Sequence, residues 1–108
     1  MRETNVLVPN GFEFSKVEQI IEGACTDYGL RMTSKGMLVH YPGSIHWHWK
    51  KESQAGVLEL TGWPRAGRLW FAVHDNRRGA WIDAAIAQLK TQLEASLQRE
   101  ASNVISDE

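Results

Sequence analysis

The sequence predicts one α+β domain in which two helices pack on one face of an antiparallel sheet, forming a two-layer sandwich. Two segments repeat apolar residues with a helical period, and four segments between them alternate like strands. The connections between those strands are short, and a chain of 108 residues has room for one core. We therefore expect a single domain over residues 1–98, followed by a polar tail over residues 99–108 that frays.

The first helix is predicted near residues 15–28. Ser15 and Glu18 have the spacing of a capping box, in which each side chain accepts a backbone N–H at the start of the helix. Gly29 is a natural stop, because glycine readily adopts the left-handed conformation that ends many helices. The apolar stripe behind this prediction consists of Val17, Ile20, Ile21, Ala24 and Tyr28.

Strand-like segments lie on both sides of this helix. The apolar run Val6-Leu7-Val8 precedes it and is either an edge strand or an ordered arm, so the sheet has four or five strands. The connections after the helix are only a few residues long, whereas parallel neighbours need a crossover of about a dozen residues or more, which favours an antiparallel meander. The four segments that follow the helix are Met37–Tyr41, Ile45–Lys50, Val57–Gly62 and Arg68–His74.

The last helix is predicted over residues 79–98, with a start near Asn76–Gly79. Its stripe consists of Ile82, Ile86, Leu89, Leu93 and Leu97, widened by Trp81 and Ala85. The resulting order is (β)-α-β-β-β-β-α. This order resembles the half-domain of TATA-binding-protein-like folds, a likeness of topology that implies no function, because that architecture hosts unrelated functions.

Alternation assigns each strand side chain to one face of the sheet. The helices should cover the apolar face, made by Met37, Val39, Tyr41, Ile45, Trp47, Trp49, Leu58, Leu60, Leu69, Phe71 and Val73. The opposite face, here called the open face, has no helix to cover it. All four histidines of the chain fall on the open face: His40, His46, His48 and His74. The same face carries Lys50, Glu59, Thr61 and Trp70.

Composition limits the classes of protein that this chain can be. The net charge is −1, although residues 31–78 hold eight basic residues against three acidic ones. The single cysteine, Cys25, forms no internal disulfide, and the N-terminus lacks the apolar run of a signal peptide. No stretch is apolar enough to cross a bilayer, so we expect a cytoplasmic protein that has no membrane partner.

The function that we favour from the sequence is a non-enzymatic binding or interaction module that uses the open face or an edge strand. Exposed apolar patches on small domains mark contacts more often than catalysis, and the partner would be another protein or a second copy in a homodimer. No nucleophile elbow, phosphate-binding glycine loop or dinucleotide fingerprint is present, which argues against an enzyme. The apolar strip proposed for this contact consists of Leu38, Val57, Trp70 and Ala72.

The alternative is a protein that binds a small ligand or a metal through the open face. His46 and His48 lie on the same side of one strand, roughly 6.5–7 Å apart. Imidazoles at this spacing can share a divalent ion if a neighbouring strand supplies a third ligand. No other cofactor is expected. The ligand-binding candidates are His40, His46, His48, Glu59, Trp70 and His74.

A second alternative is the binding of single-stranded nucleic acid. Trp70 could stack on a base while basic side chains contact phosphates. Against this reading, most tryptophans face the core by alternation and the net charge is slightly acidic. The candidate phosphate contacts are Lys50, Arg65, Arg68 and Arg77.

Overall fold

Five strands and two helices make up residues 1–106, whose backbone the computed structural model describes, with side chains described through Ser102. The order β-α-β-β-β-β-α confirms the prediction and includes the fifth strand. Short 3-10 turns follow the last two strands, at Pro64–Ala66 and Asp75–Arg77. The elements are β1 (Arg2–Val6), α1 (Phe14–Asp27), β2 (Arg31–Gly36), β3 (Ile45–Lys50), β4 (Leu58–Trp63), β5 (Arg68–Val73) and α2 (Ile82–Ser106).

The five strands form one sheet in the order β1-β5-β4-β3-β2, and every neighbouring pair is antiparallel. The last four strands make the meander that the short connections predicted. β1 pairs with β5 and forms the other edge of the sheet, and it ends at Val6, before Leu7 and Val8 of the predicted apolar run. β4 is the central strand, so Glu59 lies in the middle of the sheet.

The first strand after α1 differs from the predicted one. β2 covers Arg31–Gly36, whereas the predicted strand Met37–Tyr41 lies in the loop before β3. Met37 and Val39 were expected to face the helices, yet they are 62% and 85% exposed. The prediction is wrong because β2 is a polar edge strand whose residues are all exposed, so it has no buried face for alternation to mark.

Both helices pack on the same face of the sheet, as predicted. The two stripes meet the sheet in one apolar cluster, and α1 also contacts α2. Each large aliphatic side chain buried in this way contributes about 1.5–3 kcal/mol. The inward residues predicted for β3, β4 and β5 are confirmed, with the side chains of Trp47, Trp49, Leu58, Leu60, Leu69 and Phe71 almost completely buried.

The two ends of α1 are set by different forces. The helix begins at Phe14, and the side chain of Glu13 in the N-cap position makes no capping hydrogen bond within the described part of the chain. Ser15 is therefore already helical, and the predicted capping box is wrong. A Cβ on Gly62 of β4 would lie 3.2 Å from the ring of Phe14, so packing on the sheet sets this start. Gly29 has a φ of 93°, which confirms the predicted stop.

The loop before β4 and the turn before α2 cross at very short range. A Cβ on Gly56, whose φ is 106°, would lie 2.8 Å from the backbone nitrogen of Gly79. At the same crossing, the indole of Trp81 donates a hydrogen bond of 2.9 Å to the carbonyl oxygen of Ala55. Glycine at both positions lets the two backbones approach this closely.

α2 begins at Ile82, later than the predicted start near Asn76–Gly79, because Asp75–Arg77 forms a 3-10 turn first. The backbone then stays helical through Ser106, past the predicted end of the domain at residue 98. Fraying of the tail stays a prediction, and residues 107 and 108 lie outside the described part. Although α2 has 25 residues, no helix within residues 1–106 is apolar enough to cross a membrane.

Candidate metal centre

Backbone register sets the positions of side chains on the open face. His46 of β3 pairs with Thr61 of β4, and His48 pairs with Glu59 two residues along. Cross-strand neighbours have Cβ atoms about 4.5–5.5 Å apart, which is close enough for direct contact. His74 follows the last residue of β5 and reaches the same group. Local alternation and antiparallel pairing therefore bring these side chains together.

Glu59 is a buried carboxylate, with its side chain only 7% exposed. Its Oε1 atom lies 3.1 Å from Nε2 of His46 and 3.8 Å from Nε2 of His48. Its Oε2 atom lies 3.1 Å from Nε2 of His74 and 3.8 Å from Nη1 of Arg77. An isolated ion at this depth would carry a penalty of several kcal/mol, so these basic neighbours make its burial tolerable.

His46 is the most enclosed of these imidazoles, with its side chain 13% exposed. Its Nδ1 lies 2.7 Å from Oγ1 of Thr61, and its Nε2 lies 3.1 Å from Nε2 of His48. Burial lowers the pKa of His46; the carboxylate of Glu59 opposes this effect, and the nearby rings of His48 and His74 add to it. The neutral imidazole is the form that coordinates metal ions.

Three donor atoms converge in a compact triangle: Nε2 of His46, Nε2 of His48 and Oε1 of Glu59. Its edges are 3.1 Å, 3.1 Å and 3.8 Å, with a mean of about 3.3 Å. Ligands bound to tetrahedral zinc at about 2.0–2.1 Å are about 3.3–3.4 Å apart. A point about 2.05 Å from all three atoms lies about 0.6 Å out of their plane, against about 0.7 Å in a regular tetrahedron. We call these three residues the metal triad.

The contacts of the metal triad also allow a purely protonic arrangement. If the hydroxyl of Thr61 donates to Nδ1 of His46, then Nε2 of His46 carries a proton that it can donate to Glu59 or His48. If Nδ1 instead donates to Thr61, the lone pair on Nε2 is free for a metal ion. A proton and a metal ion therefore compete for one site, and metal titration distinguishes the two arrangements.

A cavity of about 330 Å³ adjoins the metal triad. Two members of the triad line it, His48 and Glu59, together with His74, Asn76 and Arg77. The side chain of Arg77 is 45% exposed. Its 3.8 Å separation from Glu59 is longer than a hydrogen bond, so its N–H donors can turn toward a ligand.

The other half of the open face is covered by the loop before β3. The ring of Tyr41, predicted to face the helices, instead packs edge-on against Trp63 at 4.8 Å and against Trp70 at 5.5 Å. The guanidinium of Arg68 lies 4.0 Å from the ring centre of Trp70. The indole of Trp63 donates a 3.0 Å hydrogen bond to the carbonyl oxygen of Pro42, which holds the loop in place.

The exposed apolar strip that alternation predicted does not form among the described residues. Trp70 is 3% exposed and Ala72 is 5% exposed. Leu38, placed on a strand by the prediction, lies in the covering loop. The strip prediction is wrong because alternation assigns a side chain to a face and carries no information about a loop that folds over that face.

The predicted ligand residues separate into two groups. His46, His48, Glu59 and His74 come together, whereas His40 lies exposed in the loop between β2 and β3. Trp70 lies on the same sheet face, but its ring is enclosed by Tyr41 and Arg68. The structure thus gathers three of the six candidate ligand residues around the carboxylate of a fourth, Glu59.

The predicted phosphate contacts are spread over the molecule. Lys50 ends β3, and Arg65 lies in the exposed 3-10 turn after β4. Arg68 forms an ion pair of 3.1 Å with Glu3 in addition to its stacking on Trp70. Arg77 lies beside Glu59 and lines the cavity.

Sequence reasoning missed two contributions to this centre. Thr61 was assigned to the open face but not to His46, although antiparallel pairing of β3 and β4 in the correct register would have placed them side by side. Arg77 was considered only as a phosphate contact. Its position beside Glu59 depends on the 3-10 turn at Asp75–Arg77, for which the sequence carries no specific signal.

Comparisons with known proteins assign no function to this chain, so a function has to be argued from the geometry of the site. No protein-family model matches the chain, and neither a curated protein nor a solved structure is significantly similar to it. The class that the fold and the site define is an α+β two-layer sandwich with a His-His-Glu cluster on its sheet.

Proposed function

We propose that this protein binds a divalent transition-metal ion, with Zn²⁺ the ion that fits best, through His46, His48 and Glu59. The observation that carries the proposal is the triangle of donor atoms with edges of 3.1, 3.1 and 3.8 Å, whose mean edge of about 3.3 Å is that of one face of a tetrahedral zinc site. Two imidazoles and one carboxylate are ligands that suit zinc well.

The surroundings of the metal triad support the same proposal. Its residues lie on two adjacent strands whose opposite face is packed against both helices, so their backbones are held rigidly. Thr61 contacts the second nitrogen of His46, and His74 contacts the second oxygen of Glu59. Such outer contacts orient metal ligands and tune their basicity in known metal sites.

The experiment is a calorimetric titration of metal-free protein with Zn²⁺, comparing wild type with His48→Ala and with His40→Ala. His40 is the matched control, because it is a histidine in the exposed loop between β2 and β3. We expect one tightly bound ion per chain in wild type and in His40→Ala. Removal of a ligand in His48→Ala should weaken binding by about 100-fold or more, since loss of an outer contact alone costs 10–100-fold.

Circular dichroism of each variant checks that the fold is retained, which is expected because His48 is partly exposed. Equal zinc affinities for His48→Ala and His40→Ala would refute the proposal. So would the absence of saturable binding to the wild-type protein, since the contacts of the triad would then be those of a hydrogen-bonded network only.

A second candidate function, self-association, is supported by a different surface. β2 is an edge strand whose six residues are all exposed, so its outer backbone groups are available to another strand. Apolar side chains surround this edge: Met32, Met37 and Val39 are 38%, 62% and 85% exposed. We propose a second copy of the chain as the partner, paired along β2.

Sedimentation at micromolar concentration tests this second proposal. A dimer along β2 would sediment near twice the chain mass of 12.2 kDa. The substitution Met32→Lys should return it to the monomer by placing a charge in the contact. The matched change Leu7→Lys, at a position 71% exposed beyond the end of β1, should leave the dimer intact. A monomeric wild type at every concentration would end this proposal.

We also infer a cytoplasmic location from the state of the single cysteine. Cys25 is buried in the core, and burial, with a smaller contribution from Glu22, raises the pKa of its thiol to about 12. Its reduced form is therefore stable and unreactive, and the fold requires no oxidising compartment. Fractionation of the source cells tests this location.

A further inference from the structure

We propose that the metal ion held by His46, His48 and Glu59 keeps a coordination position open, and that a small oxyanion fills it while also binding Arg77. This inference rests on the metal-binding function proposed for the triad. Structural zinc sites are closed by four protein ligands, whereas sites with three protein ligands leave the fourth position to water or an exchangeable ligand. The triad supplies three donor atoms within the described residues.

The open position faces the cavity beside the triad. All three ligands project from the same face of the sheet, and we place the fourth position on the side of the triad that faces away from the strands. The cavity of about 330 Å³ is lined by His48 and Glu59 of the triad and also by His74, Asn76 and Arg77. A ligand in this cavity can therefore touch the metal ion and the guanidinium at the same time.

The charge of the cavity favours an anion. Glu59 is the one carboxylate among its lining residues, and a divalent ion would more than neutralise it. With Arg77 included and the imidazoles neutral, the occupied centre carries a net charge of about +2. A neutral ligand would leave this charge unbalanced in a partly enclosed site, whereas an oxyanion offsets part of it.

Arg77 selects the chemical class of this anion. Its guanidinium is not hydrogen-bonded to Glu59, because the two groups are 3.8 Å apart. Its planar N–H groups match the paired oxygens of carboxylates and phosphoryl groups. One oxygen of such an anion would bind the metal ion and a second would accept hydrogen bonds from Arg77. A monatomic anion such as chloride has no second atom with which to bind Arg77 while it is bound to the metal ion.

The test uses the protein loaded with Co²⁺, whose visible absorption changes when an exchangeable ligand changes. Acetate and methylphosphonate are titrated into the loaded protein separately, to distinguish a carboxylate from a phosphoryl ligand, with chloride as the comparison and with ionic strength held constant. We expect a saturable spectral change with at least one of the two oxyanions, at concentrations well below those at which chloride acts.

Arg77→Gln should weaken the oxyanion response of the Co²⁺-loaded protein by about tenfold or more, because it removes a charged donor while His46, His48 and Glu59 remain to hold the ion. Arg65→Gln is the matched control, since Arg65 lies in the 3-10 turn at the other end of β4 and should have no effect. A wild-type protein that binds Co²⁺ but responds to neither oxyanion, or an Arg77→Gln variant that responds like wild type, overturns this inference alone. A wild-type protein that fails to bind Co²⁺ overturns the metal-binding proposal instead.

Discussion

Glu59 shows how the environment of a single residue decides its role. A glutamate on the central strand of a sheet would ordinarily be costly, because its carboxylate is largely removed from water. Here each of its oxygens lies 3.1 Å from an imidazole nitrogen. The carboxylate can accept hydrogen bonds from the histidines or bind a metal ion together with them. In both cases the buried charge has a partner.

Trp70 provides a prediction at the scale of the residue. Placed on the open face by alternation, it is 3% exposed because Tyr41 and Arg68 enclose its ring. The substitution Trp70→Glu therefore removes a large buried side chain and places a carboxylate in its enclosed site. We expect it to lower the free energy of unfolding by about 3–5 kcal/mol. Urea denaturation followed by circular dichroism measures this change.

The matched control for Trp70→Glu is Val39→Glu, which introduces the same charge at a position that is 85% exposed. Its effect should lie within about 0.5 kcal/mol of wild type, as for most surface substitutions. Similar effects of the two substitutions would show that the loop before β3 does not cover Trp70 in solution.

At the scale of the element, two connections, the loop before β4 and the turn before α2, are fixed against each other. The loop before β4 and the turn before α2 are held together by the hydrogen bond from Trp81 to Ala55 and by the contact of Gly56 with Gly79. Val57 continues this link, since its backbone N–H donates to the carbonyl oxygen of Arg77. The turn that positions Arg77 beside Glu59 is thereby tied to the start of β4.

The crossing leads to a prediction about Gly79. A Cβ at this position would overlap the carbonyl group of Ala55, lying 3.0 Å from its carbon and 2.9 Å from Nε1 of Trp81. These neighbours are backbone and a packed ring, so they cannot move aside cheaply. Gly79→Ala should lower the free energy of unfolding by about 1–3 kcal/mol, the usual cost of overpacking. Chemical denaturation measures the change.

Gly23→Ala is the control for Gly79→Ala. Gly23 lies in the middle of α1, and nothing is within 4 Å of the position that its Cβ would take. Alanine should therefore stabilise the protein by about 0.5–1 kcal/mol through its higher helix propensity. If both alanine variants were stabilising, the two backbones would not meet as closely as described.

At the scale of the whole molecule, the sheet separates two environments. Its inner face joins both helices in one apolar core, which gives the strands a rigid support. Its outer face is divided between an aromatic part, covered by the loop before β3, and a polar part that holds the metal triad. The rigid support and the polar part together make a place where ligand geometry can be preorganised.

Polar contacts join the first helix to the edge of the sheet. The indole of Trp47 donates a 2.9 Å hydrogen bond to Glu22 of α1, and Lys35 of β2 forms ion pairs with Glu18 and Glu22. Partial burial raises the pKa of Glu22, but Lys35 and the Trp47 indole outweigh this effect and hold the pKa below its ordinary value of 4.5. These contacts therefore favour the folded state above that pH and lose their effect as the carboxyl group protonates below it.

Much of this protein follows from its sequence by local rules. The α+β class, the helical stripes and the facing of β3, β4 and β5 depend on the periods of apolar residues, which act within a few positions along the chain. The same alternation places His46, His48 and Glu59 on one face before any contact is known. These inferences succeeded because each of these elements has one face buried in the core.

The tertiary structure decided the features that depend on contacts between distant parts of the chain. β2 was not predicted because an edge strand whose side chains are exposed on both faces of the sheet has no apolar alternation. The loop over Trp70 and the turn that brings Arg77 to Glu59 are equally invisible to local pattern. Alternation places His46, His48 and Glu59 on one face but does not give the distances between them. Those distances, 3.1–3.8 Å, depend on the register in which hydrogen bonds pair β3 with β4.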